Sequence, residues 1–187
     1  MPHFALAFII LTIHNMVDIT SFHLREDVEF FMNYIGVIGA GRCDIATGQL
    51  AREVGREIAL SGSVLVCGGL GGVMKEACRG CREAGGIALG ILPGLDRNDA
   101  NPYVSFAFAT GMGEMRNFLV VRCSDILIAI AGEYGTLSEI AIALKVGKRV
   151  IALQPYYEID GIEIAPSPQD AVQMAVRSLK NGTIPKA

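Results

Sequence analysis

Ala129-Ile130-Ala131-Gly132-Glu133-Tyr134-Gly135-Thr136-Leu137-Ser138-Glu139-Ile140 decides how this chain reads. An apolar run, a turn with glycine at 132 and 135, and an apolar helical pattern follow one another, as in a buried strand that turns into a helix. The unpaired N–H groups at the start of such a helix point into the turn, which suits an anion, phosphate above all. Upstream, Gly111-Met112-Gly113-Glu114-Met115-Arg116-Asn117 brings a cation and an amide, and the functional reading depends on whether the two stretches meet.

The same unit recurs along the chain. Tyr34–Ile38 ends in Gly39-Ala40-Gly41 and leads into an amphipathic helix with Ile45, Leu50, Val54 and Ile58 inward and Arg52, Glu53, Arg56 and Glu57 outward. Ser61-Gly62 breaks that helix. Val64–Cys67 then enters Gly68-Gly69-Leu70-Gly71-Gly72, and a second helix runs from Val73 to about Ala84. Ile87–Ile91 is a third strand, Pro93–Asp99 a polar surface loop, and Ser105–Ala109 alternates like a half-exposed strand. A helix over Met112–Arg122, strands Ile126–Ile130 and Val150–Leu153, and a terminal helix Asp170–Lys180 complete the pattern. The helix Thr136–Val146 is apolar almost all round, so it is expected to be covered on two sides, the second time by another subunit.

These elements predict an α/β, Rossmann-like three-layer fold, with a parallel sheet of six or seven strands and helices on both faces. Ligands of such sheets bind beyond the carboxyl ends of the strands. The glycine turns at 39–41, 68–72 and 132–135 all fall there. Residues 1–33 read as an N-terminal appendage and 34–187 as the domain. The apolar run Phe4–Ile13 is too short for a spanning helix, and no Lys or Arg precedes it as a secretory signal requires. No membrane association is therefore expected.

Composition narrows the chemistry. Beyond residue 33 the acidic and basic residues balance, so no basic field for nucleic acid is expected. Five cysteines, an odd number without a secreted spacing pattern, point to a reducing, cytoplasmic setting. Cys78-x-x-Cys81 lies within a helical pattern without a second ligand pair and reads as two buried thiols. All three histidines (His3, His14, His23) precede the domain, which disfavours His-based catalysis and His-ligated metal; no metal site is expected. Gly39-x-Gly41 lacks the third glycine of a dinucleotide fingerprint and no P-loop sequence occurs, leaving a phosphorylated or ribosyl ligand held by several glycine turns.

The combination Gly68-Gly-Leu-Gly-Gly-Val-Met74, Gly113-Glu-Met-Arg-Asn117 and Gly132-Glu-Tyr-Gly-Thr-Leu-Ser-Glu139 resembles the "lonely guy" (LOG) superfamily over residues 34–182, closer to the branch containing molybdenum cofactor carrier proteins than to the cytokinin-activating enzymes. The resemblance implies a Rossmann-like homodimer that binds a nucleotide or molybdenum cofactor and requires no other cofactor. The ligand-binding set is then Gly39, Gly41, Gly68, Gly69, Gly71, Gly72, Met74, Arg116, Asn117, Gly132, Gly135 and Thr136. The enzymatic branch, which hydrolyses nucleoside 5′-monophosphates at the base–ribose bond, carries Pro-Gly-Gly-x-Gly-Thr-x-x-Glu. Here Ala131 stands for the proline, Glu133 for the middle glycine, and Asn117 for a lysine that follows the arginine. In an enzyme, Arg116 would clamp phosphate and Glu139 would stabilise oxocarbenium charge or activate water. Thr136-x-x-Glu139 is equally a capping box, in which both side chains would only satisfy helix N–H groups.

Overall fold

The computed structural model describes residues 32–181, so the expectation for the N-terminal appendage lies outside the described residues. Seven strands form one parallel sheet: β1 (Tyr34–Gly39), β2 (Val64–Cys67), β3 (Ala88–Leu92), β4 (Phe106–Ala109), β5 (Ile126–Ile130), β6 (Val150–Leu153) and β7 (Glu163–Ile164). Their order is β4-β3-β2-β1-β5-β6-β7. Five helices connect them: α1 (Ile45–Leu60), α2 (Gly72–Glu83), α3 (Asn117–Cys123), α4 (Tyr134–Lys145) and α5 (Pro168–Lys180). The expected α/β three-layer fold is present.

The layers follow from strand alternation. Ile35 and Val37 of β1, with Ile126, Ile128 and Ile130 of β5, face α1, α2 and α5. Ile38, Leu127 and Ala129 face α3 and α4. Strands apolar on both faces belong in a sheet covered on both sides, and burying each large side chain stabilises by about 1.5–3 kcal/mol. Chain order reverses direction at β1, which pairs with β2 on one side and β5 on the other. A crevice opens beyond the carboxyl ends at such a switch point.

Three expectations need correction. Ile45 does not face the core: it is 81% exposed. Asp44 caps α1 by accepting the Thr47 N–H (2.8 Å), so Ile45 is the first helical residue and overhangs the end of the helix. The inward seam is instead Thr47, Gly48, Ala51, Val54, Gly55 and Ile58. It is narrow because α2 crosses in backbone contact: a Cβ on Gly55 would stand 1.9 Å from the Ala77 carbonyl oxygen. The helix expected over Met112–Arg122 divides into a 3-10 turn, Gly113–Arg116, and α3. The capping box is not formed either. Helix α4 begins two residues before Thr136, with Glu133 at its N-cap and no side-chain cap.

The edges are less covered. Phe106 and Phe108 on edge strand β4 are 59% and 56% exposed. Beside them Tyr34, Leu89, Ile91, Phe108, Leu119 and Cys123 line an apolar groove on the α3 side of the sheet. At the opposite edge the two-residue β7 is tied to the lead-in of β6 by a forked ion pair, Arg149 to both oxygens of Glu163. The Cys78 and Cys81 thiols are buried within α2, with Cys78 Sγ 3.4 Å from Cys67 Sγ. No helix of the described residues is long and apolar enough to cross a membrane.

Candidate functional site

A cavity of about 270 Å³ lies at the switch point. Its walls are Val37 to Gly41 from the end of β1, Gly68 and Leu70 after β2, Met74 of α2, Glu114, Arg116 and Asn117 around the start of α3, and Glu133, Gly135, Thr136 and Glu139 of the turn and first coils of α4. The two stretches singled out in the sequence therefore meet. Of the sequence-derived set, Gly39, Gly41, Gly68, Met74, Arg116, Asn117, Gly135, Thr136 and Glu139 line the cavity, while Gly69, Gly71, Gly72 and Gly132 stand behind its wall. Gly132 has a shaping role. Its φ of +111° is left-handed, and a Cβ there would meet Thr136 at 2.5 Å.

Arg116 is the centre of the site. The residue is 6% exposed, and its guanidinium lies against Gly68, where a Cβ would come within 2.5 Å of both terminal nitrogens. Nη1 donates to Asn117 Oδ1 at 2.9 Å and stands 4.0 Å from Glu139 Oε1. Nε is buried and has no hydrogen-bond partner among the described residues. An unmade bond of this kind is costly, and it is where a ligand acceptor would be accommodated. Asn117 also donates to Ser138 Oγ (3.4 Å), whose hydroxyl donates to the Gly135 carbonyl (2.7 Å). This relay links the arginine to the first turn of α4. Sequence reading had Asn117 in the site but not as the arginine's clamp, and it missed Ser138; only spatial adjacency identifies both.

Glu139 is 6% exposed. Burial pushes its carboxyl up to about 8; Arg116 opposes that rise and Glu114 reinforces it. Among the described residues its carboxyl has no hydrogen-bond partner, only the long ion pair with Arg116. Glu133, whose place in a phosphate-cradling turn is unfavourable by charge, is exposed on the rim. Among the described residues no group of three or more His, Cys, Asp or Glu is placed to hold a metal ion.

The turn's departure from the enzymatic motif has a backbone counterpart. Ala131 has φ +47° and donates its N–H to Leu153 O at 2.9 Å. Proline, locked near −65° and without an N–H, fits neither condition.

A doubly covered parallel sheet with a glycine-lined, arginine-floored cavity at its switch point defines a Rossmann-like protein with its candidate ligand site where that class of fold places it. The model of the SLOG cluster4 family matches residues 32–181, and the chain belongs to that family. An uncharacterised protein of Archaeoglobus fulgidus is 46% identical over 144 residues, covering 77% of this chain and 95% of that protein. Among solved structures, the molybdenum cofactor binding protein of Rippkaea orientalis is 34% identical with a TM-score of 0.76, covering 80% of this chain and 98% of that one. The molybdenum cofactor carrier protein of Chlamydomonas reinhardtii is 30% identical with a TM-score of 0.75, covering 80% and 99%.

Proposed function

We propose that the protein binds and carries a phosphate-containing ligand, a nucleotide or molybdopterin-type cofactor, at the glycine-rich carboxyl edge of the sheet. One observation carries this reading: a nearly buried guanidinium, its Nε without a partner among the described residues, held by Asn117 at the wall of a cavity that the first turn of α4 also lines. Arginine presents a fork that matches phosphate oxygens, and the helix start adds free N–H groups. The molybdenum cofactor binding and carrier proteins among its structural relatives support the same reading. Native mass spectrometry of the purified protein and of Arg116→Ala tests it. A phosphorylated ligand retained by the first and lost from the second is expected; equal retention by both overturns it.

A second reading, hydrolysis of the N-glycosidic bond of a nucleoside 5′-monophosphate, is favoured by one feature, the Glu139 carboxyl tuned to about 8 inside the same cavity. Release of free base and ribose 5-phosphate, abolished by Glu139→Ala, would establish it. The replacements at Ala131, Glu133 and Asn117 weigh against it. In either case the protein acts as a homodimer, with the apolar groove beside β4 and the exposed Phe106 and Phe108 as the face that a second copy covers.

A further inference from the structure

The cavity contains three carboxyl groups, Glu114, Glu133 and Glu139, and one guanidinium, a balance that a purely anionic ligand does not match. Glu139 is the deepest of the three, nine-tenths buried and without a hydrogen bond among the described residues. Arg116 does not hydrogen-bond it: Nη1 donates one N–H to Asn117 Oδ1 at 2.9 Å and stands 4.0 Å from Glu139 Oε1, beyond hydrogen-bond reach. Glu139 lines the cavity, so a ligand that displaces solvent from its oxygens must bring donors of its own. The neighbouring walls are apolar (Val37, Ile38, Leu70 and Met74), as a flat ring requires. A volume of about 270 Å³ suits a mononucleotide-sized molecule rather than a dinucleotide.

We infer that Glu139 reads the paired N–H edge of a 2-amino-4-oxopyrimidine ring, of guanine or pterin type, while the ligand's phosphate lies against Arg116 and the turn at Gly135–Thr136. A carboxylate offers two acceptors side by side, which a ring N–H next to an exocyclic amine satisfies together. Adenine presents an acceptor nitrogen beside its amine and sets a lone pair against the ionised carboxyl, whereas the protonated carboxyl matches it, so the choice of ring belongs to the ionised form that the paired N–H edge draws out. The inference rests on the phosphate-ligand reading and adds which ring is chosen. It also has a proton signature. The groups around Glu139 are Arg116 and Glu114 from the α3 side, Glu133 from its own turn and Cys67 at the end of β2. Two N–H donors favour the ionised carboxyl, so binding below pH 8 releases a proton and tightens as the pH approaches 8.

Calorimetric titration of the full chain with GMP, IMP and AMP at one ionic strength tests this, with ribose 5-phosphate as the phosphate-only probe. GMP should bind about tenfold tighter than IMP, which lacks the amine, and about a hundredfold tighter than AMP, on the usual worth of charge-assisted hydrogen bonds. Glu139→Gln should bring GMP to the level of AMP, and the preference for GMP should grow from pH 6.5 to 8 only in the wild type. Equal affinities for GMP and AMP in the wild type overturn the inference whether or not the variant folds. A loss shared equally by all three nucleotides in Glu139→Gln overturns it in favour of a ribose contact. Ribose 5-phosphate binding with no base preference sinks the ring assignment alone. No binding by any of the four probes overturns the phosphate-ligand reading with it.

Discussion

Replacing Gly68 with alanine displaces the arginine without touching its charge. The backbone at Gly68 is not left-handed, so alanine is allowed there. The added Cβ, however, would stand 2.5 Å from Nη1 and Nη2 and 2.7 Å from Cζ, roughly 1 Å inside ordinary contact. Arg116, 7% exposed at its side chain and held by Asn117, can yield only into the cavity that it lines. The guanidinium must leave its place in the cavity wall, and the charge-assisted bonds to an anion, worth about 1.5–3 kcal/mol, go with it. That loss corresponds to about a 10- to 150-fold rise in Kd. Titration with ribose 5-phosphate at fixed ionic strength measures it, with thermal melting as the control; a stability change within about 1 kcal/mol is expected because only a side-chain end moves. If Gly68→Ala binds as tightly as wild type while Arg116→Ala does not bind, the account of Gly68 as the floor beneath the arginine is wrong.

Further outcomes follow from the same geometry. Glu139 is protonated more in the folded than in the unfolded chain between the ordinary 4.5 and about 8, so its burial erodes stability as pH rises through that window. The melting temperature of Glu139→Gln should exceed wild type by a margin that grows from pH 5 to 8 and is then flat; a constant margin would contradict it. Ala131→Pro should cost about 3 kcal/mol or more by denaturant melting, since it loses the bond to Leu153 and forces φ to change sign. Ile45→Gln should lie within about 0.5 kcal/mol of wild type, whereas Ile58→Ala should cost about 2–5 kcal/mol. On the proposed dimer, the wild type should give a dimer mass in light scattering and Phe108→Asp, at the apolar groove, a monomer; an equal mass for both would overturn that interface.

The sheet was legible because strands buried on both faces read as unbroken apolar runs, and β1, β2, β5 and β6 are of that kind. Strand β7 was not, because two residues, Glu163 and Ile164, carry no periodicity and depend on Arg149 and on pairing with β6. Apolar spacing placed Ile45 inward since it cannot register where a cap ends a helix, and it overlooked the Gly55 seam because glycine gives no hydrophobic signal. For the site, the arginine and the acid could be named from the residues around them. Their roles turn on a helix that begins three residues earlier than the Thr-x-x-Glu pattern suggests, which frees Glu139 from capping.

Ala131 and Gln154 are non-glycine residues with left-handed φ values of +47° and +48°, and each directly follows one of two paired residues, Ile130 and Leu153. Each such residue carries about 1–2 kcal/mol of conformational cost. The pair therefore constrains how this rim can change over evolutionary time. Proline at 131 alone meets the wrong backbone, and relaxing one strand end leaves its neighbour unsupported. A lineage moving from this rim to a proline-bearing one by the single step Ala131→Pro would lose the bond to Leu153 and force the backbone to change hand, so that step is disfavoured before any ligand enters the cavity.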